Sequence, residues 1–434
     1  MMTTTAEPTA PPAGLSRTVA TAATFLFLGG VAVTPFMQPF TFRLLGSVVQ
    51  PSDAFFALAG LAWVVSLLLG GHTFRRGRSL PIFAVYFAGA LIATALAPQR
   101  SVSRIVIELY LVGLGVLAYN LVRTLDDVRR TFLVWTGTAT FTAAAILLSV
   151  VAFYLIGLKD PDHNPILWKG GSLPGGNYPR VRGFFLNGNM TGNYLSMSAC
   201  LSFGLAAISE KYRKIALIAG LLACAASLPT LSTALGGLAL AIGVFTWQFQ
   251  TATQKSKALK ALLPLGIAFA VLLGLYTAGY PKKTDAGWIV EPSPRWLTWN
   301  SSWGTFLKHP LFGNGLGVQL ADVRYVTAQG AHEHLTDPHN AWLNVAGQKG
   351  LVGLAIFLGV LGYLAKGAFP LAKSADSKAI VRTALFGAWL VIVYQAFSCS
   401  LEDMRHVWLI FGMLAGAIES DAFSPSPTKT EPAS

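Results

Sequence analysis

Charge is scarce in this sequence. Of its 434 residues only 12% are Asp, Glu, Lys or Arg while 53% are hydrophobic. A soluble domain carries roughly a quarter charged residues, so a water-facing surface over the whole chain is excluded. Acid is scarcer still, with 19 Asp and Glu against 32 Lys and Arg. Cysteine is nearly absent: Cys200, Cys224 and Cys399 are an odd number of thiols, far apart and inside apolar segments. That excludes a disulfide framework and leaves them as packing residues. No cation precedes the first apolar run, and no small-residue cleavage pattern follows it. The run therefore reads as a retained anchor rather than a signal peptide.

Long apolar runs are what the chain does have. They begin near Arg17, Asp53, Leu80, Val102, Thr131, Asn187, Lys214, Ser232, Ala258, Ala341, Ala379 and Met404, and each is long enough to cross a hydrocarbon core of about 30 Å as a helix. The expected fold class is an all-α integral membrane protein with about twelve transmembrane helices. Lysine and arginine alternate between its short connections. Arg75, Arg76 and Arg78, then Arg123, Arg129 and Arg130, then Lys211, Arg213 and Lys214, then Lys255, Lys257 and Lys260, then Lys366, Lys373, Lys378 and Arg382 mark one face. The opposite short connections hold only Arg43, Arg100, Arg104 and Arg405. The richer face reads as cytoplasmic. The expected organisation is a cytoplasmic tail over 1–16, a polytopic membrane domain over 17–420 and a second cytoplasmic tail over 421–434.

Two connections on the outer face are long, 158–186 and 280–340, and long loops in compact domains tend to carry function. They hold Lys159, Lys169, Arg180, Arg182, Lys282, Lys283, Arg295, Lys308 and Arg324 on the face that elsewhere avoids cations, which suits an anionic ligand outside. In the second, "SPRWLTWNSSWGTFLKHPLFGNGLG" puts Pro294 at a first helical position, with Trp296, Trp299, Trp303 and Leu307 at three- and four-residue spacing. This predicts a helix lying in the membrane interface, its tryptophans an aromatic anchor. His309 then satisfies the C-terminus of that helix. Arg295 falls in the first turn, where a cation opposes the helix dipole at a cost of roughly 0.3–1 kcal/mol; a nearby anion would offset this, as would exposure to water or lipid phosphate.

"TDPHNAW" reads as Asp337 at the N-cap, Pro338 first in the helix, and His339 and Asn340 in the first turn of the span that follows. An imidazole there, lowered by the helix terminus and raised by Asp337, would titrate near neutrality, which suits a general base; the bland alternative is a capping histidine. His332, Glu333, His334 and His339 have no familiar zinc spacing, and Asp160 with Asp162 in "KDPDHN" fits turn chemistry as well as a divalent ion, so no metal is expected. Arg104 and Glu108, four apart, are expected to pair on one helix face. Lys349, about two turns into its span, must face protein or a water-filled cavity.

Four stretches, "RVRGFFLNGNMTGNYLSM", "LPTLSTALGGLAL", "RWLTWNSSWGTFLKHPLFGNGLGV" and "HNAWLNVAGQKGLVGLAIFL", resemble in order and spacing the membrane family that includes bacterial O-antigen ligases and O-antigen polymerases. The resemblance covers roughly residues 180 to 365. It implies a GT-C-like enzyme without a cofactor. Such an enzyme moves a glycan from an undecaprenyl-pyrophosphate-linked donor to a sugar hydroxyl of lipid A-core, with inversion, in the bacterial inner membrane and on its periplasmic side. Carried over by motif, His339, Arg295 and Arg182 are the expected catalytic residues, with Asn187, Asn189, Asn340, Arg180 and Trp299 as substrate contacts. The chain departs from the pattern at Gly188, where proline is common, and at Thr233, where arginine is. A polymerase joining lipid-linked repeats and a protein O-oligosaccharyltransferase share the pattern. A transporter or flippase suits it less, since polar chemistry gathers in outer loops and no repeat is evident. The net charge of +13 is taken up by orientation and outer cations, so nucleic acid is not an expected partner.

Overall fold

The structure is a computed structural model that describes residues 13–44, 47–160, 162–173, 176–248, 279–284, 287–326, 332–369 and 376–419. The span expected from Ala258, with Lys255, Lys257 and Lys260 ahead of it, lies outside the described residues. So do Lys373, residues 1–12 of the expected N-terminal tail and the whole of 421–434.

Twelve helices are described: α1 (Ala13–Val33), α2 (Pro51–Leu68), α3 (Ser79–Leu96), α4 (Val102–Leu121), α5 (Leu125–Val151), α6 (Gly188–Ile208), α7 (Arg213–Ser227), α8 (Ala234–Gln248), α9 (Pro294–Phe306), α10 (Ala341–Ala368), α11 (Ser377–Gln395) and α12 (Arg405–Glu419). Among the described residues eight are long and apolar enough to cross a membrane: α1 to α5, α7, α10 and α11. The chain is thus a multi-pass, mainly helical membrane protein. The other four expected spans are not among these: the one from Ala258 lies outside the described residues, and α6, α8 and α12 fall short of that measure. Helix α6 has 21 residues but is enclosed by α5, α7, α8 and α11, so Asn193, Ser196, Ser198 and Ser202 sit buried on it instead of lipid-facing side chains. Helices α8 and α12 have 15 residues each.

Four antiparallel hairpins depart from the all-helical expectation. They are β1 (Phe42–Leu44) with β2 (Ser47–Val49), β3 (Leu167–Leu173) with β4 (Gly176–Val181), β5 (Gly279–Thr284) with β6 (Gly287–Pro292), and β7 (Val323–Val326) with β8 (His332–Leu335). Pairing satisfies backbone groups that a long connection would otherwise leave open.

The connections that carry these hairpins meet at one end of the bundle. Met37 N–H donates to the Phe184 carbonyl at 3.1 Å, and Arg405 Nη2 to the Val48 carbonyl at 3.1 Å. The cation-rich connections lie at the other end, where Arg123 Nη1 reaches Thr73 Oγ1 (2.9 Å) and Arg129 Nη2 the Ile208 carbonyl (3.1 Å). There Glu419 accepts from Ser79 N–H (2.6 Å) and Tyr119 Oη (2.6 Å), tying α3, α4 and α12.

Helix α10 is broken. Gly350 has φ 69 and ψ −170, and its missing side chain is required twice, since a Cβ there would lie 2.2 Å from the Leu311 carbonyl oxygen. The segment after α9 is strapped into the break. Leu351 N–H donates to the Pro310 carbonyl (2.8 Å) and Val352 N–H to that of Leu311 (3.2 Å), while the Gly347 and Gln348 carbonyls accept from the N–H groups of Asn314 (2.9 Å) and Gly315 (3.1 Å). Irregular backbone at membrane depth persists only when protein supplies such partners.

Beside the break, Lys349 Nζ meets Glu108 Oε1 and donates to Tyr86 Oη at 2.7 Å. Glu108 therefore pairs across helices with Lys349 rather than with Arg104 one turn away: both partners are buried, and a buried ammonium needs its counter-ion more than a half-exposed guanidinium does. Substituting one partner of such a pair leaves an uncompensated buried charge. Lys349→Met should lower stability by about 3–5 kcal/mol, with Glu108→Gln/Lys349→Met recovering most of the loss. Unfolding of the purified proteins in detergent measures it; a single variant as stable as the parent would contradict the assignment.

Candidate active site

The Asp337-Pro338 pair does not start α10 as expected. Asn340 is the N-cap, its Oδ1 accepting from Leu343 N–H at 3.1 Å, with the helix beginning at Ala341. Asp337 instead closes a local turn: its Oδ1 accepts the backbone N–H of His339 at 2.6 Å, the two-residue reach natural to aspartate. This turn holds His339 at φ 50, outside the helix. The same oxygen lies 3.3 Å from His339 Nδ1 and accepts Ser400 Oγ at 2.9 Å. One carboxylate thus fixes both backbone and ring, and Nδ1 facing it leaves Nε2 as the basic nitrogen.

Arg295 comes from α9. Ser293 caps that helix, its Oγ accepting from Trp296 N–H at 3.1 Å, and Pro294 is the first helical residue, as the sequence predicts. The helix ends at Phe306, and His309 adds only its backbone N–H to the Phe306 carbonyl (3.1 Å). Trp296, Trp303 and Leu307 are exposed, while Thr298, Ser302 and Phe306 are buried, so the apolar stripe faces outward. Trp299 is half-buried and its indole Nε1 has no protein partner. Arg295 lies close enough to act on His339, whose pKa is lowered by burial first and by Arg295, against an upward pull from Asp337. That lowering favours the neutral imidazole, the form a base requires.

Asn187 caps α6, accepting from Met190 N–H at 3.1 Å. Asn189 Oδ1 accepts from Arg180 Nη2 (3.3 Å), and Arg180 Nε donates to the Thr230 carbonyl (3.2 Å). Gln395 Nε2, at the end of α11, donates to the Asn189 carbonyl and to Ser232 Oγ, both at 2.8 Å; Thr233 Oγ1 bonds Ser398 Oγ; Asn340 Nδ2 donates to the Phe397 carbonyl at 3.3 Å. The end of α11 and the turn after it thereby hold together the starts of α6, α8 and α10, three positive helix ends. Arg180 belongs to this network. Arg182 turns elsewhere, its Nε donating to the Pro165 carbonyl at 3.1 Å. The structure thus brings His339, Arg295, Asn340, Asn189 and Arg180 into one neighbourhood and ties the Arg182 side chain to the preceding connection.

Of the possible metal ligands, Asp160 accepts from Asp162 N–H (3.0 Å) and His163 Nδ1 (3.1 Å), a self-contained exposed turn, and His334 Nε2 bonds Asp322 Oδ1 (2.8 Å). Among the described residues no three His, Cys, Asp or Glu side chains gather as a metal would need.

Sequence reasoning missed Glu402, in the short connection 396–404. It is buried; Oε1 accepts from Asn344 Nδ2, and Oε2 meets no protein donor. Burial pushes its pKa up to about 8, helped by Asp403 and Asp337. Two adjacent carboxylates, Glu402 and Asp403, in so short a connection between apolar runs were the available signal.

Residues 215–358 match the family model described as O-antigen ligase. Over this stretch the chain is similar to O-antigen ligases. An O-antigen ligase of Pseudomonas aeruginosa is 29% identical over 222 residues, 46% of this chain; the match spans 44% of that relative's length. The family-matched stretch holds Arg295, Trp299, His339 and Asn340, whereas Arg180, Arg182, Asn187, Asn189 and Glu402 lie outside it.

Because the folded state raises the Glu402 pKa, it binds the proton more tightly than the unfolded chain does, and stability falls as pH rises from about 4.5 to about 8. Glu402→Gln should flatten that fall. Melting temperatures of parent and variant between pH 5 and 9 decide it, and parallel curves would rule out a neutral Glu402.

Proposed function

We propose that this chain is an O-antigen ligase acting in lipopolysaccharide biosynthesis. It transfers a glycan from undecaprenyl pyrophosphate to a sugar hydroxyl of lipid A-core, at the periplasmic face of the bacterial inner membrane, with both termini in the cytoplasm. The observation that carries this reading is His339, held by Asp337 and with its pKa lowered by burial and by the charge of Arg295.

The chemistry follows from those groups. Arg295, with Arg180 from the strand leading to α6, clamps the diphosphate and stabilises the charge that grows on it as the bond from the anomeric carbon to the phosphate oxygen breaks. The acceptor hydroxyl attacks that carbon from the opposite face, so configuration inverts, and its proton passes to His339 Nε2. Undecaprenyl pyrophosphate leaves with the bonding electron pair, and His339 returns the proton to solvent. Asn187, Asn189 and Asn340 bond sugar or phosphate oxygens, Trp299 lies against the glycan, and the bilayer aligns both lipids. No metal or cofactor takes part.

Transfer by the purified protein, from lipid-linked donor to lipid A-core without any ion gradient, tests the reading. His339→Ala should cost about 10²–10⁴ in rate and Arg295→Ala about 10²–10³, with insertion unchanged; near-parental activity in both would remove them from the mechanism. Transfer only to a second lipid-linked repeat would make the chain a polymerase. EDTA should have no effect, and inhibition reversed by Mg²⁺ or Mn²⁺ would move the chemistry to Asp160 and Asp162.

The acid limb of the pH profile should lie below 6.5, the ordinary histidine value, because burial and Arg295 lower it. Asp337→Asn removes the upward pull and should move that limb lower still. A limb that moves upward in this variant would show that another group titrates.

A further inference from the structure

Asn314 lies in the strap after α9, away from the residues placed around the reacting groups. It is buried, and both hydrogens of its amide nitrogen are used. One Nδ2–H donates to the Thr305 carbonyl at 2.9 Å, in the last turn of α9, and the other to the Gly347 carbonyl at 3.0 Å, one turn before the break in α10. A single planar amide therefore joins the helix that carries Arg295 to the helix that follows His339.

Other bonds hold the strap in place without this side chain: Leu351 and Val352 N–H on the Pro310 and Leu311 carbonyls, and Gly315 N–H on that of Gln348. What the amide adds is the link to the end of α9. That helix is 13 residues long, about 20 Å at 1.5 Å per residue, with Thr305 near one end and Arg295 at the other. A small tilt at Thr305 displaces the guanidinium by a comparable or larger distance, and misplacement of about 1 Å can cost roughly 10²-fold in rate.

We propose that Asn314 is a positioning residue: by bridging the Thr305 and Gly347 carbonyls it sets Arg295 at its working distance from His339. This rests on the ligase reading above and adds to it the element that fixes the relation between the two groups. An aspartate in its place has the same shape but, when ionised, sets oxygen lone pairs against two carbonyl oxygens; protonated, it regains one donor.

The test uses the full chain, purified in detergent, with lipid-linked glycan donor and lipid A-core acceptor. The variants are Asn314→Ala, Asn314→Asp, Arg295→Ala and Arg295→Ala/Asn314→Ala. Asn314→Ala and Asn314→Asp should each lose about 10- to 100-fold in transfer, with the donor KM rising more than the acceptor KM and melting temperatures near the parent's. The rate ratio of Asn314→Asp to Asn314→Ala should rise several-fold from pH 8 to pH 5, a rescue that a lost packing contact would not produce. Adding Asn314→Ala to Arg295→Ala should cost little more, because the two act through one guanidinium.

Parental activity in Asn314→Ala with Arg295→Ala inactive overturns this inference alone. So does a pH-independent ratio, additive losses in the double variant, or unfolding of both Asn314 variants, which would make the residue structural. An inactive parent, or full activity in Arg295→Ala, removes the ligase reading and this inference with it.

Discussion

A peptide group at membrane depth must find a hydrogen-bond partner within the protein, because hydrocarbon offers none. The break at Gly350 puts this constraint at the centre of the molecule. Once α10 leaves helical geometry, its carbonyls before the break and its N–H groups after it need partners, and Pro310–Gly315 supplies them. The cost of an unsatisfied backbone therefore fixes a long outer connection against the bundle, and with it the interfacial helix α9. Lys349 and Glu108 hold the same region from the side, anchoring α10 to α3 and α4.

The site inherits its order from that arrangement. His339 is not carried by a helix but sits in a turn closed by Asp337, and Ser400 from the α11–α12 connection closes on the same carboxylate oxygen. Arg295 approaches from the strapped helix. The starts of α6, α8 and α10 are gathered by Gln395, Phe397 and Ser398, so three helix dipoles and two guanidinium groups favour negative charge where Arg295 and burial favour the neutral imidazole. On the proposed reading, cations for a departing phosphate and a base for an incoming hydroxyl are different requirements, and they come from different connections.

Buried polarity separates what could be read along the chain from what could not. Lys349 stands out in sequence as a charge inside an apolar run, which foretells a protein-facing partner; which carboxylate it meets depends on the packing of α4 against α10, and the local candidate for Glu108, Arg104, lost to it. Glu402 shows the reverse. In "SLEDMRH" it looks like a solvated turn residue, and only the closure of α10 and α12 over it makes it an unusual carboxyl. The polar face of α6 was equally hidden, because enclosure by neighbouring helices relaxes the demand for apolar side chains that a hydropathy reading relies on.

Composition and spacing by themselves determined that the chain crosses a membrane many times, that the cations of its short connections collect at one end and its long connections at the other, and that α9 begins at Pro294 with Trp296 and Trp303 outward. These follow from local rules: transfer free energy summed along a run, charge asymmetry, and the geometry of a first helical turn. Tertiary structure alone decided that α10 is broken, that His339 stands outside the helix in a left-handed turn, and that Arg180 rather than Arg182 joins the network around Asn189. The break and the Asn189 network turn on hydrogen bonds between segments far apart in sequence, and no pattern within one segment can say which distant carbonyl will be there to accept them; the His339 turn is closed locally by Asp337, and what tertiary structure adds to it is Ser400 on the same carboxylate.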